Sequence, residues 1–399
     1  MGIFGGVLFV FALLLSIVLH EAGHMVCARK AGGKVTEFFV GFGPRLWSFR
    51  RGETEYGVKA IPAGGYVKII GMTDLEPITE EDIPRAFYNK PLGARLITLA
   101  AGSIVHFLIA LSLLMLVPMT FGQQKQDLSG TIGNVVNCVK PTAGACQAGD
   151  PASPALAAGL RPGDKIVAIG GTPVDGWEAI TKALHAGTAG TPIAVVVDRA
   201  GQPQPPVEVT PATGNISADK NKIVLGTMIG IGAPAPSMNR LNPIAAVGNG
   251  FMQFGSLAKG SVQGLIDIPK SIPKLFQQTT GNTPRSADTP VGIVGMTSLS
   301  GGIIENGGYG QFLIFVASIN LFIGIFNLLP LLPLDGGHIA IALYEAARTK
   351  IAKLRGRLDP GRVDLNKLMP AAFTFLALFV GLSLLLIAAD VSNPLKFPG

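Results

Sequence analysis

Charge is scarce in this sequence. Asp, Glu, Lys and Arg make up 14% of its 399 residues and hydrophobic residues 48%, with a mean hydropathy of +0.45. That is more apolar material than one soluble core uses and too little for a chain immersed in lipid throughout, so a mixed membrane and soluble protein is expected. Aromatic residues are few, at 7%. The 32 Lys and Arg behind the net charge of +7 are not pooled in a patch with interleaved aromatics, which excludes a nucleic-acid surface. The N-terminal segment lacks the charged start, short apolar centre and small-residue cleavage site of a removable signal peptide, so it is expected to stay as a helix. Its opening Met-Gly-Ile-Phe-Gly-Gly lacks the Ser or Thr of a myristoylation signal. Inverted repeats are missing as well, which argues against a transporter.

What is present is a run, residues 1–28, whose one formally charged side chain is Glu21. At a helical rise of about 1.5 Å per residue it is roughly 42 Å long, more than the ~30 Å of hydrocarbon it would cross. Inside it stands His20-Glu21-Ala22-Gly23-His24. Ionisable groups in an apolar helix are costly and default to function. Two histidines four apart share a helix face, so both rings can reach one ion at ~2.0–2.1 Å, with Glu21 beside the ion rather than on it. In this HExxH arrangement zinc takes both histidines, a third ligand from elsewhere and a water, whose proton the glutamate removes. The plainer alternative is a pair of buried polar residues bonded between helices.

Three further apolar runs, residues 96–121, 311–329 and 371–389, are long enough to span, which makes four transmembrane helices. Eleven basic residues lie between the first two spans, from Arg29 and Lys30 to Arg95, and seven between the last two, including Arg348, Lys350, Arg355 and Arg357. None precedes the first span, and only Lys396 follows the last. The positive-inside rule then places both termini outside and these two loops in the cytoplasm. The long segment 122–310 is accordingly extracytoplasmic, where oxidation is possible. Cys138 and Cys146 fall there and are expected to form a disulfide rather than two free thiols, worth roughly 2–3 kcal/mol on the chain-entropy model. Cys27 lies about 10.5 Å along the helix axis from His20, too far to join both histidines on one ion, and is read as a small buried hydrophobe.

The expected order along the chain is then as follows. After the first helix (1–28), residues 29–92 form a cytoplasmic, membrane-associated region of small β hairpins, with Glu37-Phe38-Phe39-Val40 and Glu55-Tyr56-Gly57-Val58 as alternating stretches. An apolar strand follows Pro62, and Gly64, Gly65, Tyr66 and Val67 are candidates for pairing with an unwound substrate backbone by strand addition; a plain hairpin is the alternative. Residues 73–89 read as an acidic loop. The second helix (93–121) carries His106, which is open to three readings: a buried hydrogen-bonding residue, a polar lining of the cavity, or a metal ligand. Residues 122–232 read as an inserted α/β module, with strands near 131–137, 165–169, 193–198 and 207–210 and a helix near 177–185. Its stretch through Gly159-Leu160-Arg161-Pro162-Gly163-Asp164 resembles the centre of bacterial PDZ domains. That resemblance implies a groove for an extended peptide or free C-terminus, or a steric filter. Ala233-Pro234-Ala235-Pro236 reads as a stiff linker. Within 233–310, apolar residues recurring from Ile244 to Leu265 predict an amphipathic interfacial helix over about 244–266, not a fifth span. The third helix with its following motif (311–337) ends on Asn327-Leu328-Leu329-Pro330-Leu331-Leu332-Pro333-Leu334-Asp335-Gly336-Gly337. With four spans the first and third helices run the same way, so His24 and Asp335 reach similar depth. An aspartate beside a Pro/Gly break in lipid pairs with a cation, which makes Asp335 the third ligand, a structural cap being the alternative. His338 lies further toward the basic loop (338–370). A fourth helix (371–390) and a tail (391–399) complete the chain.

Assembled in this order, the sequence resembles the site-2 proteases, intramembrane zinc metalloproteases, in the bacterial form with four transmembrane helices and one PDZ domain. The likeness rests on the HExxH pentapeptide, the Gly64-Gly65 strand, the second helix, the PDZ stretch, Pro290-Val291-Gly292-Ile293 and the motif from Asn327 to Gly337. It implies that His20, His24 and Asp335 bind one Zn2+ per chain, that Glu21 is the base, and that Asn327 contacts substrate or the developing oxyanion. It implies as substrates single-span membrane proteins, such as anti-sigma factors after a first cleavage or remnant signal peptides, in a bacterial inner membrane. The sequence departs from the family where Ser103 and His106 stand in place of the usual Pro and Asn, and where Leu332 replaces a proline. A PDZ-bearing scaffold with a vestigial metal site is the rival reading.

Overall fold

The computed structural model describes residues 2–72, 78–140, 146–147, 149–215, 225–280, 285 and 289–394. Part of the expected acidic loop, residues 73–77, and Lys396 lie outside the described residues. The chain forms two compact units, residues 1–122 with 240–399, and residues 123–239 between them.

The first unit opens with α1 (Gly2–Lys30), whose buried residues Phe9, Ser16, His20, His24 and Ala28 fall on one stripe at helical spacing. Two long strands follow, β1 (Val35–Arg51) and β2 (Thr54–Ile69), joined through Gly52 at φ +61°, a left-handed turn conformation that glycine adopts without a Cβ penalty. They pair in more than one register: Phe39 partners both Tyr66 and Gly57, and Val40 both Gly65 and Val58. The first half of β1 therefore lies between two parts of β2, and residues 65–69 form an edge with no further strand among the described residues. Short 3-10 turns, Glu80–Arg85 and Phe87–Asn89, occupy the end of the stretch expected to be a plain loop. Then α2 (Leu92–Thr120) follows, burying Leu99, Gly102, His106, Ala110 and Leu114 along one face.

The inserted unit contains α3 (Pro154–Ala157) and α4 (Gly176–Ala186) over a five-stranded sheet that includes Lys165–Ile169, Ile193–Arg199 and Val207–Val209. Its pairings are antiparallel, so helix and strand are combined without the parallel βαβ units that α/β usually denotes. Ile132, Leu160, Ile166, Ile180, Leu184, Val195 and Val197 fill its core. Cys138 and Cys146 are joined by a disulfide with Cα atoms 5.9 Å apart. The unit runs past the expected boundary at 232. Ser237–Asn239 pairs with Gln123–Lys125, and Gln126 Nε2 donates to the Pro234 carbonyl. The Ala-Pro stretch is thus held against the unit rather than hanging free, because backbone pairing on both sides of it leaves no slack.

Asp164 has its side chain buried in this unit, with Arg199 Nε and Nη2 at 2.7 and 2.8 Å and the Arg161 backbone N–H at 2.9 Å. The Arg199 guanidinium holds its carboxyl below the usual carboxylate range. A depressed folded pKa contributes stability that is complete above the unfolded value of about 3.9 and drains as pH falls toward the folded one. Unfolding of this unit, read from Trp177 fluorescence in a Trp47→Phe background of the full chain, is expected to lose several degrees of midpoint between pH 6 and pH 3. Asp164→Asn should lower the midpoint at pH 6 and flatten that dependence; an unchanged slope would assign the acid sensitivity elsewhere.

The chain then returns to the first unit through α5 (Pro243–Thr280), α6 (Ile293–Glu305), α7 (Tyr309–Asn327), α8 (Asp335–Leu354) and α9 (Met369–Ser392). The amphipathic helix expected over 244–266 is longer, carrying Pro269 and Pro273 inside it. Its Phe254, Leu257 and Ala258 pack on Ala110 and Leu114 of α2 and on Ala317 and Leu321 of α7, and Leu275 and Gln278 are buried beyond the prolines, so tertiary burial carries the helix past residues that favour its ending. Four described helices, α1, α2, α7 and α9, are long and apolar enough to cross a membrane. The break expected after the third helix is present, and the expected basic loop (338–370) is corrected, since its first part is helical. α7 stops at Asn327, residues 328–334 form a loop, and Asp335 opens a new helix in what was expected to be a basic loop. Pro330 and Pro333 explain the break. Gly336 and Gly337 do not loosen the backbone; they lie in the first turn of α8, where an added Cβ would come within 2.3 Å of Leu328 backbone atoms and 2.7 Å of the Leu331 backbone.

Candidate metal centre

His20 and His24 stand one turn apart on the buried face of α1, 7% and 5% exposed. Their Nε2 atoms are 3.1 Å apart. Asp335 Oδ2, from the first residue of α8, lies 3.3 Å from His20 Nε2 and 3.4 Å from His24 Nε2. Among the described residues these three make the group whose donors could hold one ion. A tetrahedral zinc with ligands at ~2.0–2.1 Å sets its donors about 3.3 Å apart, and the three separations match that edge. Two imidazoles and a carboxylate are a donor set that zinc accepts. His24 Nδ1 is 2.7 Å from the Thr98 carbonyl, so it carries the proton and leaves the Nε2 lone pair for a metal. The residues fit the ion.

Local structure puts each donor there. His20 is admitted by Gly102 of α2, where a Cβ would fall 2.3 to 2.5 Å from the imidazole ring. α1 and α2 touch closely at Gly23, whose added Cβ would stand 2.9 Å from the Ala101 carbonyl oxygen. Asp335 is placed by α8 as a whole. Ala342 of α8 is buried with Ala28, Val35, Ile69, Phe87 and Leu99, a cluster drawn from α1, both strands, the 3-10 turn and α2. Arg95 Nη2 of α2 pairs with Glu345 Oε2 at 2.9 Å, both side chains largely buried.

The remaining expected residues are distributed as follows. Glu21 is half-buried and outside the donor triad. Its Cγ lies 3.4 Å from a Cβ built on Gly65, and its carboxylate is in reach of the Val67 backbone N–H. The 65–67 edge therefore runs beside the glutamate. Tyr66 contributes backbone there, since its hydroxyl donates to Glu37 Oε2 at 2.6 Å and accepts from Lys59 Nζ at 2.8 Å. Gly64 has φ +132° at the start of that edge. Asn327 is the last residue of α7, half-buried, with no hydrogen bond to the triad among the described residues. His338 lines a separate small cavity with Met72, Tyr88 and Leu99, and Cys27 is a free, partly buried thiol.

Sequence reading missed Thr98, Arg95, Glu345 and Asn320, and took Gly102, with Ala101 and Ser103, as a small residue that allows close helix approach without tying it to His20. A signal existed for Asn320, the one amide inside the apolar part of α7, and it bonds His106 Nδ1 through Oδ1 at 2.8 Å.

The family model for peptidase family M50 matches residues 8–358 of this chain. The zinc metalloprotease Rip1 of Mycolicibacterium smegmatis is 38% identical over 402 aligned residues, covering 98% of both chains. Rip1 of Mycobacterium tuberculosis is 35% identical with the same 98% coverage of both, as is Rip1 of Mycobacterium bovis. A match to the family across most of the length and relatives aligned end to end, on top of a membrane-helix donor triad of this geometry, lead to one conclusion: the chain belongs to peptidase family M50, the site-2 proteases.

Proposed function

We propose that this chain is an intramembrane zinc metalloprotease that hydrolyses a peptide bond within the transmembrane segment of single-span membrane proteins. The observation that carries the reading is the triad of His20, His24 and Asp335 with donors 3.1 to 3.4 Å apart, two of them in a helix long and apolar enough to span. Bound there, zinc supplies Lewis-acid polarisation and activates water at neutral pH. Glu21 accepts the proton released as the peptide carbon is attacked, and can pass it to the leaving amine. A transmembrane helix hides its amides in its own hydrogen bonds, so it must unwind before attack. The edge formed by Gly64, Gly65, Tyr66 and Val67 offers backbone donors and acceptors to the strand so exposed, and its place beside Glu21 sets the scissile bond near the base. Asn327 is assigned to the substrate or the developing oxyanion.

The asymmetry of basic residues puts the termini and the inserted unit outside and the cut near the cytoplasmic face, in a bacterial inner membrane. Cleavage there releases a cytoplasmic fragment, the logic of regulated intramembrane proteolysis. The inserted unit, read as a PDZ domain, senses whether the outer part of the substrate has been removed, and anti-sigma factors after a first cleavage or remnant signal peptides fit that requirement. Purified full-length chain given a reporter membrane segment is expected to lose cleavage on treatment with a strong zinc chelator and to regain it with about one equivalent of zinc per chain. Undiminished cleavage in material stripped of transition metal would end the reading.

A further inference from the structure

The metal-facing atom of His20 is Nε2, so its Nδ1 must carry a proton. His24 solves the same problem through the Thr98 carbonyl. His20 Nδ1 is buried and has no hydrogen-bond partner among the described residues, and leaving a buried donor unmet is disfavoured. Besides His24 and the Gly102 backbone, the ring of His106 packs against this one, with centroids 4.9 Å apart. His106 is 1% exposed, and so is Asn320, which holds it.

The orientation of His106 follows from a chain of bonds. Asn320 Nδ2 donates to the Val316 carbonyl at 2.9 Å, which turns Oδ1 toward His106. An amide oxygen accepts, so His106 Nδ1, 2.8 Å away, is the donor. In the neutral ring that leaves Nε2 of His106 as a lone-pair acceptor beside a ring that needs one. Ser103, one turn before His106 on α2, contributes a further buried hydroxyl with no partner among the described residues. A water shared by His20 Nδ1, His106 Nε2 and Ser103 Oγ would have three partners, the usual number for a buried one.

We infer that His106, held by Asn320, is a positioning residue of the metal centre: through one ordered water it accepts the hydrogen bond of His20 Nδ1–H, and so keeps Nε2 of His20 aimed at the metal. The inference rests on the zinc reading above. It also gives a role to the two positions, Ser103 and His106, where this chain departs from the usual family residues. Metal-ligating histidines generally have such a partner on the second ring nitrogen, and losing it typically costs 10- to 100-fold in metal affinity.

The test is metal affinity and the cobalt absorption spectrum of full-length protein in detergent, for parent, His106→Leu, His106→Gln, Asn320→Leu and the double Leu variant. Gln places an acceptor near the former Nε2, whereas Leu fills space without one. Expected are a 10- to 100-fold affinity loss with an altered cobalt spectrum for His106→Leu, recovery to within about 3-fold for His106→Gln, and a loss for Asn320→Leu that does not add to the first. Equal losses in the Leu and Gln variants, or parental affinity and spectrum in a folded His106→Leu protein, would overturn the inference. A parent that binds no stoichiometric metal would instead overturn the zinc reading itself, so the two failures are distinguishable.

Discussion

Glu21→Gln is expected to lower cleavage of a reporter membrane segment by about 10²- to 10⁴-fold, the usual worth of a positioned general base, while bound zinc stays at the parental level. The two halves of that result come from different parts of the geometry. Glu21 lies outside the triad of His20, His24 and Asp335, so an amide there removes no metal ligand. It is nonetheless a carboxylate set beside both the triad's helix face and the 65–67 edge, and glutamine keeps its shape and hydrogen-bonding reach while losing the capacity to take a proton. The measurement pairs cleavage rate with metal content on the same preparation. Parental cleavage by the variant would remove Glu21 from the chemistry, whereas a membrane scaffold with a vestigial site would show no metal-dependent cleavage in the parent or the variant. A variant that binds metal without turning over also provides a trap, and single-span proteins accumulating with it in native membranes identify the substrates.

How far this centre could be read from sequence depended on the range of each interaction. His20 and His24 are four residues apart in a run with one formally charged side chain, and helix geometry alone puts them on one face. Asp335 was legible by a longer route, through the count of spans and the cost of a carboxylate at a Pro/Gly break, and the structure sets it 3.3 Å from His20. Local pattern failed where glycine had two meanings. Gly336 and Gly337 look like a backbone breaker, yet they lie in the first turn of α8, pressed against the backbone of residues 328–331. Similarly, the apolar recurrence that ends at Leu265 suggested that α5 ends there, but burial of Leu275 and Gln278 carries the helix on through Pro269 and Pro273. The pairing of His106 with Asn320, 214 residues apart, and of Arg95 with Glu345 across α2 and α8 leaves no local trace. In the inserted unit, a short apolar run matched the strand at Lys165–Ile169 closely, whereas the boundary slipped because an Ala-Pro run reads as a linker whether or not strands pair on either side of it.

The least conspicuous residue of the centre should be among the least replaceable. Gly102→Ala adds one carbon to a helix interior, a change that by propensity alone favours α2 by roughly 0.5–1 kcal/mol. Here that carbon would stand 2.3 Å from His20 Cε1 and 2.5 Å from both ring nitrogens. His20 cannot turn aside and still keep Nε2 within 3.1 Å of His24 and 3.3 Å of Asp335. Neither can α1 approach at another point to compensate, because Gly23 already brings it against the Ala101 carbonyl. Overpacking of this kind costs about 1–3 kcal/mol. A strain of that size, borne by a ligand ring, corresponds to roughly 10- to 100-fold in metal affinity. The expected outcome is a folded protein with weakened zinc binding and cleavage reduced at least as much. Gly93→Ala supplies the control on the same helix, where an added Cβ meets nothing within 4 Å, and it should leave both metal and cleavage unchanged. If Gly102→Ala behaved like Gly93→Ala, the close fit of α2 around His20 would not be what holds the imidazole in place, and the metal site would have to owe its shape to α8 alone.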